Sequence, residues 1–137
     1  MHSDNQEKVS EELFESDGDL TLFNGEPFTG IGFDPFPNGD GVEYETEYKN
    51  GFPHGASRKW YSSGLLAYET ECKKGATHGR EVYWYPDGSL KSEAYYEFGI
   101  KLSLKAWNEN GELIEKFKID PESTNYALLE KFRAGTI

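Results

Sequence analysis

Residues 50–73 read NGFPHGASRKWYSSGLLAYETECK, and residues 74–97 read KGATHGREVYWYPDGSLKSEAYYE. The two stretches superpose without a gap, with glycine at the second, sixth and fifteenth positions of each. A longer copy covers residues 24–49, and a decayed copy that lacks the second glycine begins at Phe98. Self-similarity at a fixed period of about 24 residues is the signature of a repeat architecture.

The third glycine of each copy ends a tight-turn sequence, because glycine tolerates the positive φ that such turns require. These sequences are Pro-Asn-Gly, Ser-Ser-Gly, Pro-Asp-Gly and Glu-Asn-Gly, at 37–39, 62–64, 86–88 and 109–111. Each turn predicts one β-hairpin, with strands near 41–49, 56–61, 65–73, 80–85, 89–97, 103–107 and 112–119. The predicted fold is mainly β: one elongated antiparallel meander sheet of about four hairpins.

The flanking segments are interpreted as caps on a single domain. Residues 1–23 are an acidic cap with short strands at Val9–Phe14 and Leu20–Phe23, and residues 24–119 are the hairpin repeats. Pro35 and Pro37 indicate that the first repeat strand is irregular or lies at an edge. Asp120 followed by Pro121 predicts the N-cap of a helix that fills 120–134, and we expect this helix to cover one end or face of the sheet and so to hide an open strand edge.

Alternation along the strands separates two faces of the sheet. One face carries Val42, Leu66 and Leu90 together with tyrosine and threonine columns. The other carries a ladder of carboxylates, and Arg58, Lys59 and Arg80 are expected to lie near enough to pair with it. Trp60 and Trp84 occupy one repeat column and are expected to pack against the sheet.

The net charge of −11 arises entirely from residues 1–49, which contain 13 acids and two bases. Such a field repels nucleic acid and attracts a basic protein, although a merely solubilising end gives the same composition. No apolar run approaches the length of a membrane span, and no signal peptide is evident. One cysteine fits a reducing compartment, so we expect a cytoplasmic protein that neither binds nucleic acid nor inserts into membranes.

Few residues are candidates for catalysis or metal binding. His54 and His78 occupy the same repeat position about two strands apart, roughly 10 Å and too far for one metal ion, so they are interpreted as structural turn residues. Cys72 replaces an apolar-face tyrosine and is interpreted as a buried thiol. The carboxylate ladder follows the repeat, which favours a solvated or binding face over catalysis. We therefore expect no enzymatic activity, no catalytic residues, no cofactor and no metal site.

Several motifs carry a resemblance to a known family. The segments at 48–55, 60–66, 78–80 and 84–93 resemble variants of MORN repeats. The chain is more narrowly similar to bacterial YwqK-type antitoxins, which are immunity proteins. Members of that family open with Asn-Gly-x-Pro-Phe-Thr-Gly, here Asn24–Gly30, and often end in Trp-x-x-Asn-Gly-x-Leu, here Trp107–Leu113. The resemblance covers about residues 20–119.

The resemblance implies an antitoxin that binds and neutralises a cognate toxin, and the acidic charge favours a basic C-terminal toxin domain as the partner. The hypothesis places the contact on an acidic and aromatic face of the sheet. Its candidate partner-binding residues are Glu43, Glu45, Glu47, Glu69, Glu71, Tyr83, Tyr85, Glu93 and Tyr95. The alternative is a non-enzymatic MORN-repeat scaffold or membrane-associated interaction module, and the oligomeric state is left open.

Overall fold

A computed structural model describes residues 8–137 as twelve β-strands and one α-helix. The strands are β1 (Lys8–Ser10), β2 (Glu15–Asp17), β3 (Leu20–Phe23), β4 (Glu26–Pro27), β5 (Gly30–Pro35), β6 (Val42–Lys49), β7 (Phe52–Trp60), β8 (Leu66–Lys73), β9 (Ala76–Trp84), β10 (Leu90–Glu97), β11 (Ile100–Trp107) and β12 (Leu113–Lys118). Helix α1 spans Thr124–Arg133, and a short 3-10 turn covers Glu11–Leu13.

Nine strands form one sheet in the order β1-β5-β6-β7-β8-β9-β10-β11-β12, and β2-β3-β4 form a separate three-stranded sheet. From β5 onward every strand pairs antiparallel with the next strand along the chain. Strand β1 pairs parallel with β5. This arrangement confirms the predicted mainly β fold, an elongated antiparallel meander with a C-terminal helix.

At one end of the sheet the strands are joined by two-residue turns. Asn50-Gly51, Lys74-Gly75 and Phe98-Gly99 all have positive φ at both residues, between 51° and 89°. Positive φ at both positions defines the type I′ turn, whose twist matches that of the flanking strands, so strand pairing continues up to the turn. Strands β7, β9 and β11 consequently begin at 52, 76 and 100, three to four residues earlier than predicted.

The opposite end carries the predicted glycine turns. The Tyr61 N–H donates to Leu65 O at 2.9 Å, and the Gly64 N–H donates back to Tyr61 O at 2.9 Å. The same pair of bonds recurs around Gly39, Gly88 and Gly111. After each turn the register shifts by one residue, so that Trp60 pairs with Leu66 although its neighbour Lys59 pairs with Tyr68. These repeated β-bulges set the phase between the two strands of each hairpin.

Side chains link each hairpin to the next at both ends. The His54 Nδ1 atom accepts the Lys74 N–H at 3.2 Å, and His78 Nδ1 accepts the Phe98 N–H at 3.0 Å. At the other end, the Tyr61 hydroxyl donates to Trp84 O at 2.6 Å, and the Tyr85 hydroxyl donates to Trp107 O at 2.7 Å. The predicted structural role of both histidines is therefore confirmed, but the prediction that they are turn residues is wrong, because His54 lies in β7 and His78 in β9 and each accepts a backbone N–H from the next turn.

Directly opposed residues in neighbouring strands share a face of the sheet. One row across five strands contains Glu45, Arg58, Glu69, Val82 and Glu93, and we call its side of the sheet the acidic face. The row on the other side contains Tyr44, Lys59, Tyr68, Tyr83 and Ser92, and we call that side the tyrosine face. Trp60 and Trp84 are half-buried.

Burial is scattered along the sheet. Val82 on the acidic face is 1% exposed, Ala94 on the tyrosine face is 2% exposed, and Leu129 of α1 is fully buried. Neighbouring side chains on the same face cover the small residues between them. Lateral packing within each face therefore stabilises the repeats.

An aromatic cluster caps the first repeat. Phe14, Phe23, Phe28 and Tyr48 pack with ring centroids 4.8 to 6.3 Å apart. The prediction of a strand through Val9–Phe14 is wrong beyond Ser10, because the chain enters the 3-10 turn that brings Phe14 over Gly32. Of the two alternatives for the first repeat strand, the edge is wrong, since β1 pairs with Ile31, Gly32 and Phe33. The strand is irregular at Pro35, where its register with β6 shifts.

Helix α1 begins four residues later than predicted. Asp120 accepts the Glu122 N–H within a turn, and the N-cap is Ser123, whose hydroxyl accepts the Tyr126 N–H at 3.1 Å. Phe132 stacks on Phe98 at 5.1 Å. The helix therefore packs at one end of the sheet, beside the β10–β11 turn, as expected. The expectation that it hides a strand edge is wrong for β12, whose six residues are all exposed. Within residues 8–137, the helices are too short or too polar to cross a membrane.

The histidine links predict a measurable loss of stability. His54→Ala removes the acceptor of the Lys74 N–H and should lower the free energy of unfolding by about 1 kcal/mol, the usual net value of one hydrogen bond. Urea denaturation measures the change, with Ser62→Ala, in an exposed turn at the other end of the sheet, as the control. Equal stability of the two variants would show that the histidine link contributes nothing.

The docking of α1 should depend on pH. Arg133 donates to both Glu97 carboxylate oxygens, at 2.8 and 2.9 Å, and lowers the pKa of Glu97 below its usual 4.5. A carboxyl whose folded-state pKa is depressed stabilises the fold above its unfolded pKa and loses that contribution as pH falls through the folded pKa. Glu97→Gln should therefore be less stable than the parent at pH 7, and the gap should close well below pH 4.5.

Urea denaturation across that pH range measures the gap. Glu130→Gln, on the exposed side of α1, is the matched control and should follow the parent at every pH. A Glu97→Gln gap that persists undiminished in acid would contradict the assigned ion pair.

Candidate functional site

The acidic face carries the predicted carboxylates in two adjacent columns. Glu45, Glu69 and Glu93 occupy corresponding positions in β6, β8 and β10. Glu47, Glu71 and Tyr95 follow two residues later on the same strands and project on the same side. Glu43 is the extra residue of the bulge opposite Asp34 and Pro35. The structure therefore brings six of the nine candidate residues to one face, and Glu43 is not among them, because its repeat position is that of Ala67 and Lys91, which line a recess on the tyrosine face.

Three of these carboxylates are ion-paired within the sheet. The Arg58 Nε–Glu69 Oε2 distance is 2.6 Å and the Arg80 Nε–Glu93 Oε2 distance is 2.5 Å. Lys8 lies 3.7 Å from Glu45. The expectation that Lys59 joins this ladder is wrong: Lys59 pairs in register with Tyr44 and Tyr68 on the tyrosine face, with its Nζ 5.3 Å from the Tyr44 ring centroid.

Glu47 helps to build the sheet. Its Oε2 accepts the Ala56 N–H at 2.6 Å, and its carboxylate occupies the space that a Cβ on Gly55 would need. Gly55 also has a φ of +106°, in the region that favours glycine. Glu71 repeats the arrangement over Gly79 but is exposed. The second glycine of the repeat is therefore explained by the carboxylate that crosses it.

The ladder changes sign in the fourth repeat. The column of Glu45, Glu69 and Glu93 continues as Lys116, and Lys105 lies between Glu93 and Lys116 in the same row. Lys105, Lys116 and Phe117 help to line a 270 Å³ recess together with Tyr95. Tyr95 itself is 45% exposed. The acidic face is therefore confined to β6–β10 and is bordered by lysines.

Tyr83 and Tyr85 do not lie with the carboxylates. Tyr83 pairs with Tyr68 and Ser92 on the tyrosine face, where it is 38% exposed. Tyr85 follows at the end of β9 and uses its hydroxyl to hold Trp107 O. The predicted grouping of these two tyrosines with the acidic ladder is wrong, because the bulge after each glycine turn sets which residues of β9 and β10 share a face.

Sequence analysis missed Glu81, the carboxylate at the centre of the tyrosine face. Glu81 pairs with Thr70 and Ala94, which are 3% and 2% exposed. The corresponding positions of the other repeats, identified through the same row of the sheet, are Gly32, Ser57 and Leu104. An acid where the other copies carry small or apolar residues is a departure that the repeat alignment alone could have exposed.

The potentially reactive groups are in unreactive settings. Burial, together with the charge of Glu81, raises the pKa of the Cys72 thiol, which disfavours the nucleophilic thiolate. The Nδ1 atoms of His54 and His78 are occupied by backbone N–H groups. Across residues 8–137, no three His, Cys, Asp or Glu side chains cluster closely enough to hold a metal ion.

Comparison with known proteins identifies the family of the chain. No family model matches it. It is 47% identical over 125 residues to the immunity protein YwqK of Bacillus subtilis, a match that covers 91% of this chain and 79% of that protein. Identity of this degree over most of both chains leaves one assignment: the chain belongs to the YwqK immunity-protein family.

Proposed function

We propose that this chain is an immunity protein that binds a cognate protein toxin and blocks it without catalysing a reaction. Membership in the family of an immunity protein supports the general role. The observation that carries the proposed mode of action is the acidic face, where three successive repeats present carboxylates on one side of an open sheet.

The charge balance of that face favours a basic partner. Five glutamates, Glu45, Glu47, Glu69, Glu71 and Glu93, project from β6, β8 and β10 on this face, whereas the arginines that pair with them are Arg58 and Arg80. The whole chain carries a net charge of −11. Complementary charge accelerates encounter and discriminates against wrong partners, so a basic active-site domain at the C-terminus of the toxin is the partner that this surface fits.

The same charge makes nucleic acid an unsuitable partner, because a phosphate backbone would be repelled. The proposal also places the protein in the cytoplasm, where a single unpaired cysteine is stable in its reduced form. In this role the sheet is a rigid platform: its backbone hydrogen bonds are internal, and binding needs no rearrangement of the strands.

If the acidic face is the contact, the rate of association with the toxin should depend on where in the chain a charge is reversed. Glu71 lies on the acidic face and makes no ion pair with the described residues 8–137, so its charge is available to a partner. Reversing it to Lys should slow association with the toxin encoded beside this gene by about threefold or more at low salt. Stopped-flow association and rescue of growth on co-expression measure the effect.

The matched control is Glu115→Lys, which changes the net charge equally but lies off the acidic face. Slower association of the Glu71→Lys variant than of the control supports the acidic face as the contact. Equal rates for the two variants would contradict that contact, and failure of the parent chain to bind the toxin or rescue growth would contradict the immunity role itself.

A further inference from the structure

The centre of the tyrosine face contains a carboxylate that the repeat does not need. Glu81 stands where the other repeats have Gly32, Ser57 and Leu104, so the hairpin architecture forms without an acid at this position. Its partners across the sheet, Thr70 and Ala94, are both buried. Placing a charge between buried neighbours costs free energy unless the charge is compensated.

The surroundings of Glu81 contain further hydrogen-bonding groups. The hydrogen bond that Tyr68 donates to Glu81 Oε2 is long, at 3.4 Å. Thr70 Oγ1, directly opposite Glu81, is buried without a hydrogen-bond partner. The Thr70 hydroxyl and the Tyr68 phenol can each donate as well as accept, and Thr70 is only 3% exposed. The acceptors left to a ligand at this spot are therefore the Glu81 carboxylate and the Tyr68 phenol oxygen.

Aromatic rings form the wall of this spot. The Tyr68 and Tyr83 rings lie 4.6 Å apart at an angle of 45°. Both rings also line a 400 Å³ recess that includes Tyr44, Tyr61 and Trp84. The charge of Glu81 raises the pKa of Tyr68, Tyr83 and Tyr96, in each case after burial as the larger cause, so the carboxylate lies within electrostatic reach of all three phenols.

Residues 8–137 supply no cation to this carboxylate. The arginines are Arg58, Arg80 and Arg133, and each is ion-paired with another glutamate. Two lysines line the recess, and both lie against aromatic rings: Lys59 over Tyr44 at 5.3 Å and Lys91 over Tyr85 at 5.7 Å. Glu81 forms no ion pair within residues 8–137.

We propose that Glu81, with the Tyr68–Tyr83 ring pair, is a recognition site for an arginine side chain presented by another protein. A guanidinium offers five N–H donors in one plane, so it can bind the carboxylate, and it stacks on aromatic rings. Cation–π contact with tyrosine and a charge-assisted hydrogen bond to the carboxylate act together. The site lies on the opposite face from the proposed toxin contact, so it is independent of that proposal.

A small arginine probe tests the site directly. N-acetyl-arginine amide is titrated into the full chain while the ring resonances of Tyr68 and Tyr83 are followed by NMR. The neutral isostere N-acetyl-citrulline amide is the ligand control. We expect saturable shifts of these two residues with the arginine probe, weakened about tenfold by Glu81→Gln, because a hydrogen bond to a charged group is lost.

The matched protein control is Glu69→Gln, which removes an acid already paired with Arg58 on the acidic face and should leave the titration unchanged. Equal shifts with citrulline, no saturable shifts with arginine, or an unchanged titration in Glu81→Gln would each overturn the site. If the Lys59 ammonium instead occupies the Glu81 site, Lys59→Met will tighten arginine binding by more than tenfold. That result would also overturn the proposal that the site is open to a ligand.

Thermal melting separates recognition from a structural role. Glu81→Ser installs the residue that the preceding repeat carries as Ser57. Because the carboxylate is held for a ligand at the expense of stability, this variant should melt at a temperature equal to or above that of the parent while losing arginine binding. A marked fall in melting temperature with arginine binding retained would show that Glu81 serves the fold, and would contradict the proposal.

Discussion

The pairing register between adjacent strands is the constraint on which the rest of this molecule depends. Strands β6 to β11 are each paired on both sides, and the two faces of the sheet remain largely open to solvent, so no second layer corrects an error in pairing. Since side chains alternate with a period of two, a slip of one residue would exchange the faces of a strand. The type I′ turns at one end, the bulged glycine turns at the other and the histidine and tyrosine links between hairpins all act on this register.

The register also determines which charged side chains are ion-paired and which are not. On the acidic face, Arg58 and Arg80 already hold Glu69 and Glu93, and such partly exposed ion pairs contribute at most about 1 kcal/mol each. Their effect is to fix side-chain positions and to leave an unpaired negative charge at Glu71. On the tyrosine face, Glu81 is surrounded by phenols and forms no ion pair among the described residues. The glutamates of this sheet therefore divide into those held by a cation of the same sheet, such as Glu69 and Glu93, and those without one, such as Glu71 and Glu81.

The turns, the hairpins and the carboxylate columns could be predicted because they depend on local chemistry. A glycine after Pro-Asp or Ser-Ser signals a turn wherever it occurs, and alternation places Glu45 and Glu47 on one side of a single strand. The relation between neighbouring strands is different, because one bulged residue after each turn changes it. The sequence pattern therefore places Tyr83 on the wrong face. It does not reveal Glu81, because a comparison of repeated columns identifies what the copies share and not the residue that one copy alone carries.

Proton–proton distances across β8 and β9 test this account most directly, because that pair of strands sets the placement of Tyr83 and Glu81. In a NOESY spectrum of the free protein, backbone protons of Tyr68 should connect with those of Tyr83, and those of Glu69 with Val82. Cross-peaks that instead connect Glu69 with Tyr83 and Glu71 with Glu81 would show a register slipped by one residue. Both Tyr83 and Glu81 would then lie on the acidic face, and the division of the sheet into two faces with separate roles would be wrong.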